Sequence, residues 1–70
     1  MPEMVPVDSS SIDLVGYDDE TQELYVQFGS GSTYIYSAVS TYTFDEFLNA
    51  PSKGSYFNRE IKPNYECRLL

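Results

Sequence analysis

Two short runs with strand character, Glu23–Phe28 and Thr33–Tyr36, are separated only by Gly29-Ser30-Gly31-Ser32. Runs rich in β-branched and aromatic residues on either side of a Gly/Ser connection this short read as a β-hairpin, and an antiparallel sheet follows. Treating the connection as a four-residue loop sets Phe28 across from Thr33 and Val26 across from Ile35, because register and face are locked by the period of two. Tyr25 then faces Tyr36, Gln27 faces Tyr34, and three tyrosines share the face opposite Leu24, Val26, Phe28 and Ile35. The aliphatic face is the expected core; the tyrosine face is left as a second packed layer, an oligomer contact or a ligand platform.

The remaining elements attach to this hairpin. Ser11–Tyr17 alternates polar and apolar positions as a strand does, and Asp18–Gln22 supplies the turn residues that end it. Ser40 or Thr43 can cap a first helix, Thr43 and Glu46 having capping-box spacing, with Phe44, Phe47 and Leu48 as its apolar stripe. Pro51 breaks that helix, Ser52 caps a second, and Phe57 and Ile61 lie one turn apart before Pro63. Tyr65–Leu70 reads as extended and able to join the sheet edge. The expectation is an α+β fold, a small antiparallel sheet in β-β-β-α-α-β order with two short helices packed on one face. Residues 1–8 read as a flexible lead-in and 9–70 as a single domain.

A chain of 70 residues holds one domain at most and buries only about 60% of its unfolded surface, so a homo-oligomer is a natural route to further burial. With one cysteine and no histidine, neither an internal disulfide nor a Cys/His metal centre can be assembled, and seven tyrosines and four phenylalanines must carry much of the burial. Cys67 is expected as a small buried hydrophobe in the last strand. Met1–Asp8 has no basic region followed by an apolar run, and no stretch approaches the ~20 apolar residues of a membrane span. The cytoplasm is the expected compartment, with no membrane partner.

The net charge is −7, unevenly spread: residues 1–50 carry nine acids and no base, whereas Lys53, Arg59, Lys62 and Arg68 in 51–70 face only Glu60 and Glu66. An acidic protein can therefore keep one local patch able to meet an anion. No histidine is available as acid or base, no Ser or Cys has an evident base partner, and no Gly-rich phosphate loop or calcium-loop spacing is present, so no catalytic residue, metal site or cofactor is expected. The informative stretch is Ser52–Lys62. Ser52 and Lys53 at the helix start suit an anion, Asn58 can read a donor/acceptor edge, and Tyr56 and Arg59 offer stacking surfaces of the kind single-stranded nucleic acid uses. The competing reading is an ordinary amphipathic helix whose polar side is merely solvated.

Ser9-Ser10 followed by Ile12, then Val15-Gly16-Tyr17-Asp18, a central Tyr34-Ile35-Tyr36, and Ser52-Lys53-Gly54 leading to Tyr56-Phe57-Asn58 and Ile61-Lys62 together resemble the KTSC domain over about residues 5–70. That domain occurs at the C-terminus of certain lysyl-tRNA synthetases and as free-standing proteins of bacteria and their phages. Val39-Ser40 stands where the family often has Val-Pro. The synthetase association implies RNA as a ligand. The expected function is accordingly a non-catalytic binding module for a short RNA element or a nucleotide. In it Lys53, Arg59 and Lys62 meet phosphate, Asn58 reads an edge, Tyr34, Tyr36 or Tyr56 stacks, and Ser52 completes the site. Two alternatives stand beside it: a protein-interaction module acting through the tyrosine face, in a phage on a host factor, and sequestration of a small nucleotide signal between protomers.

Overall fold

The computed structural model describes residues 1–70. It contains strands β1 (Val5–Pro6), β2 (Ile12–Asp18), β3 (Glu23–Phe28), β4 (Thr33–Tyr36) and β5 (Cys67–Leu69). Helix α1 (Thr41–Asn49) and the short helix α2 (Lys53–Tyr56) follow β4, and α2 runs directly into a π-helical turn, Phe57–Ile61. The five strands form one antiparallel sheet in chain order, β1-β2-β3-β4-β5. The α+β class, the antiparallel sheet and the two helices on one face are as the sequence predicts. Within the lead-in 1–8, Val5–Pro6 contributes an additional edge strand on β2.

The hairpin register differs by one residue from the expected one. Tyr36 faces Leu24, Ile35 faces Tyr25, Tyr34 faces Val26 and Thr33 faces Gln27. The cause is the turn. Phe28 pairs with Ser32, whose C=O accepts from Phe28 N–H at 2.9 Å, and Gly31 N–H closes onto Phe28 C=O, also at 2.9 Å. The loop therefore has three residues, ending in Gly31 at φ +97°. A type I turn followed by a left-handed glycine is the favoured three-residue solution because it matches the strand twist.

A slip of one residue exchanges faces. Tyr34 and Tyr36 stand on the core side with Leu24, Val26 and Phe28, while Tyr25 and Ile35 lie on the other side, so the three tyrosines do not gather opposite the aliphatic residues. Gly31→Val should cost about 1–3 kcal/mol, a backbone cost alone, since a Cβ there meets no atom within 4 Å. Gly31→Asn should cost less, because asparagine tolerates the left-handed region. Urea titration of the two variants checks both; equal costs would contradict this turn.

A second irregularity sits in β2. Ile12 faces Phe28 but Leu14 faces Gln27, so Asp13 is an extra residue in a β-bulge. The bulge turns Ile12 onto the same face as Val15, and both are fully buried. Strict alternation from Ser11 would have placed them on opposite faces.

Ser40 caps α1, its Oγ accepting from Thr43 N–H at 3.1 Å and donating to Thr43 Oγ1 at 3.1 Å. Thr43 thus serves inside the first turn and is not itself the cap. Phe47 is fully buried, with Phe44 and Leu48 flanking it half-buried against the sheet. Ser52 caps α2 as predicted, accepting from Ser55 N–H at 3.3 Å. Phe57 and Ile61 then point inward from the π turn, joining Ile12, Val15, Leu24, Val26, Tyr36, Val39 and Phe47 in one core between sheet and helices. Cys67 lies in the last strand but is exposed, correcting the expectation of a buried thiol: at the edge strand no helix covers it.

Candidate functional site

Two recesses meet where the helical segment crosses the sheet. The first has a volume of about 540 Å³. Its floor is aromatic, formed by Phe28, Tyr34 and Tyr36 from β3 and β4, and Phe57, Asn58 and Lys62 come to it from the helical side. These rings are braced edge-to-face, with Phe28 and Tyr34 centroids 5.9 Å apart, Phe28 and Phe57 5.4 Å, and Tyr36 and Phe57 5.3 Å. Ser11 and Cys67 complete the lining.

The π turn places Lys62 here. Lys62 N–H bonds Phe57 C=O at 2.9 Å, five residues back. The widened turn lets Phe57 and Ile61 stay in the core while Asn58 and Lys62 both line the recess. Single π turns inside helices recur at functional sites, where they re-aim side chains at the expense of regular bonding.

The second recess, about 380 Å³, is lined entirely by non-hydrophobic residues. One wall is the turn Asp8–Ser11, in which Ser9 Oγ accepts from the N–H groups of Ser11 and Ile12, both at 3.3 Å. The other wall is the start of α2, with Ser52, Lys53 and Ser55. Gly54 sets the spacing between them: a Cβ there would stand 3.3 Å from Ser11 Oγ and 3.5 Å from Ser9 Oγ. Lys53 directs its ammonium to Ala50 C=O at 3.3 Å, and Asp8 brings a carboxylate to the lining of the same recess. Ser11 and Asn58 belong to both recesses and join them.

Burial raises the Tyr36 hydroxyl from its ordinary 10.0 to about 12, with the neighbouring Cys67 thiol and Tyr34 adding to the effect. Tyr36 is therefore a neutral hydrogen-bonding group across the physiological range. Tyr56 is also raised, by burial first and then by the carboxylates of Glu46 and Glu60.

Of the residues singled out from sequence, Tyr34, Tyr36, Asn58 and Lys62 converge on the aromatic recess, and Ser52, Lys53 and Asn58 on the polar one. Tyr56 and Arg59 line neither. Tyr56 packs toward α1, its ring centroid 6.0 Å from that of Phe47, and Arg59 lies over Tyr56 at 5.8 Å while pairing with Glu60 at 3.0 Å. Sequence reasoning about the site missed Asp8, Ser9, Ser10 and Ser11, along with Phe28 and Phe57 as ring walls. The consecutive serines, together with a glycine inside a helix start, were the available signal for a close approach of two backbones.

Sheet, helices and joined recesses define a small helix-on-sheet module with a ligand-sized groove at the seam between its layers. A model of the KTSC domain matches residues 8–65. A protein of Tsukamurella paurometabola is 42% identical over 67 residues, 96% of this chain and 100% of that one. A lysine–tRNA ligase of Nostoc punctiforme contains a segment 39% identical over 63 residues, which is 90% of this chain but 11% of the ligase. The crystal structure of a KTSC domain protein from Yersinia pestis matches with a TM-score of 0.95 and 36% identity, covering 100% of this chain and 99% of that one. The chain belongs to the KTSC domain family. No helix is long and apolar enough to cross a membrane.

Proposed function

We propose that this module binds a nucleotide or the end of a short RNA, without catalysing a reaction on it, in the joined recesses between the Ser9–Ser11 turn, the Ser52–Lys62 segment and β4. The observation that carries this reading is the adjacency of an aromatic-walled recess and a hydroxyl-lined one, sharing Ser11 and Asn58. A base needs a π surface and an edge-reading amide; Phe28, Tyr34 and Tyr36 supply the first and Asn58 the second. Ribose and phosphate need hydroxyls, amides and a cation; the serine walls and Lys62 supply these. With only four cations in the chain, few phosphates can be neutralised, which favours a short ligand over a long one. The occurrence of a related segment within lysine–tRNA ligases also supports an RNA-type ligand.

The alternative of a protein partner loses one of its supports, because Tyr34 and Tyr36 stand on the helix side of the sheet, away from Tyr25.

The first experiment is to denature the purified protein and analyse released material by mass spectrometry, then to titrate the emptied protein with nucleoside monophosphates and short oligoribonucleotides. Lys62→Ala and Asn58→Ala should each weaken binding roughly tenfold, the scale of one lost hydrogen bond to a charged or edge group. Arg59→Ala should leave it unchanged. Binding that ignores Lys62 and Asn58 but fails in Arg59→Ala would place the ligand elsewhere, and absence of binding across the panel would refute the reading.

A further inference from the structure

The two edges of the sheet are not alike, and the difference points to a partner. At the β1 edge, Val5 faces Val15 and Val7 N–H bonds Asp13 C=O at 3.1 Å, so the backbone of Val5 and Val7 points inward and that of Pro6 points out. A proline there removes the outward donor, a common way of closing an edge to further strands. At the β5 edge the ladder is fixed by Ser37 N–H to Glu66 C=O and Leu70 N–H to Thr33 C=O, each 2.9 Å. The alternation of antiparallel pairing then directs Glu66, Arg68 and Leu70 inward and leaves the N–H and C=O groups of Cys67 and Leu69 facing out. No proline or lysine guards them. Leu69 and Leu70 are 63% and 64% exposed beside this edge.

We propose that β5 pairs with β5 of a second copy, giving a closed dimer with a continuous ten-stranded sheet. The strand is its own complement. A two-fold axis at Arg68 sets Cys67 of each copy opposite Leu69 of the other, and those are the residues with outward backbone groups, so all four form hydrogen bonds. Cys67 and Leu69 lie on the same face of β5, opposite Tyr36 and Tyr34 respectively, so each leucine side chain is covered by the other copy on the core side of the sheet. The two Arg68 side chains come together on the opposite side. Each is already held by its own Glu23 at 2.9 Å, so two neutral pairs meet there in place of two bare cations. Because only one edge is open, the assembly stops at two copies and does not extend into a fibre. Both aromatic recesses, each with Cys67 in its lining, then open on one side of the shared sheet.

Sedimentation velocity from roughly 5 µM to roughly 500 µM should show the mass rising from 8.0 kDa to twice that value. Leu69→Pro should remain a monomer and melt as the dilute, monomeric unaltered protein does, since the N–H it removes makes no bond within the chain. If that variant fails to fold, amide exchange in the unaltered protein decides the matter. The Cys67 and Leu69 amides should become protected as concentration rises. A monomer at the highest concentration, a dimer whose Cys67 and Leu69 amides still exchange freely, or a folded Leu69→Pro dimer would each overturn the proposal.

Discussion

Phe57→Ala is expected to remove a large share of the folding stability, about 3–5 kcal/mol. The ring is 3% exposed and stands between the layers, with centroids 5.4 Å from Phe28, 5.3 Å from Tyr36 and 6.5 Å from Phe47. Truncating a buried phenylalanine costs about 3–5 kcal/mol through lost transfer energy and the cavity left behind. A domain of 70 residues has roughly 4–10 kcal/mol in total. The loss is therefore about a third or more of the whole stability, and the variant should unfold at a much lower urea concentration. Phe57→Leu, which keeps an apolar group in place, should cost only about 1–3 kcal/mol and remain folded. Circular dichroism with urea titration tests the pair, and a loss below about 1 kcal/mol in the alanine variant would show that Phe57 does not hold sheet to helix.

The second large effect is at alkaline pH. Tyr36 is neutral when protonated, and burial, Cys67 and Tyr34 raise its folded pKa to about 12 against an ordinary 10.0. The folded state thus holds this proton more tightly than the unfolded chain. The corresponding stability is fully present below pH 10 and is lost as pH rises toward about 12. Urea midpoints should fall through that window, and Tyr36→Phe should flatten the fall. Tyrosinate absorbance should show Tyr36 among the last of the seven tyrosines to ionise. Cys67→Ala should bring its titration down, since the thiol adds to the shift. A Tyr36→Phe variant with an unaltered alkaline slope would rule out this residue as its source.

What could be read from sequence was whatever depends on period and capping. The hairpin, the stripe of Phe44, Phe47 and Leu48, the cap at Ser52 and the inward pair Phe57 and Ile61 all follow from local chemistry. What escaped were three one-residue irregularities: the left-handed Gly31 that shortens the loop, the bulge at Asp13 and the π turn at Phe57–Ile61. Each preserves the element and changes which way its side chains point. The faces of Tyr34 and Tyr36 were misassigned for this reason, and the actual register brings both to the lining of the aromatic recess. The serine turn was overlooked because its place depends on Gly54, 43 or more positions away in the chain. Tyr56 and Arg59 have the residue types of a binding pair, but the helix turns Tyr56 toward α1 and leaves Arg59 paired with Glu60.

The chain-order sheet also sets a schedule for assembly. From β1 through β4 every strand meets the one just before it, across connections short enough to close with little loop entropy. Only β5 must wait for the excursion through both helices, since Cys67–Leu69 docks on a strand that ended at Tyr36. Long-range closures of this kind form late and open early. The C-terminal strand is thus the natural last step of folding and the first segment to detach under strain, and anything that grips it from outside slows that detachment.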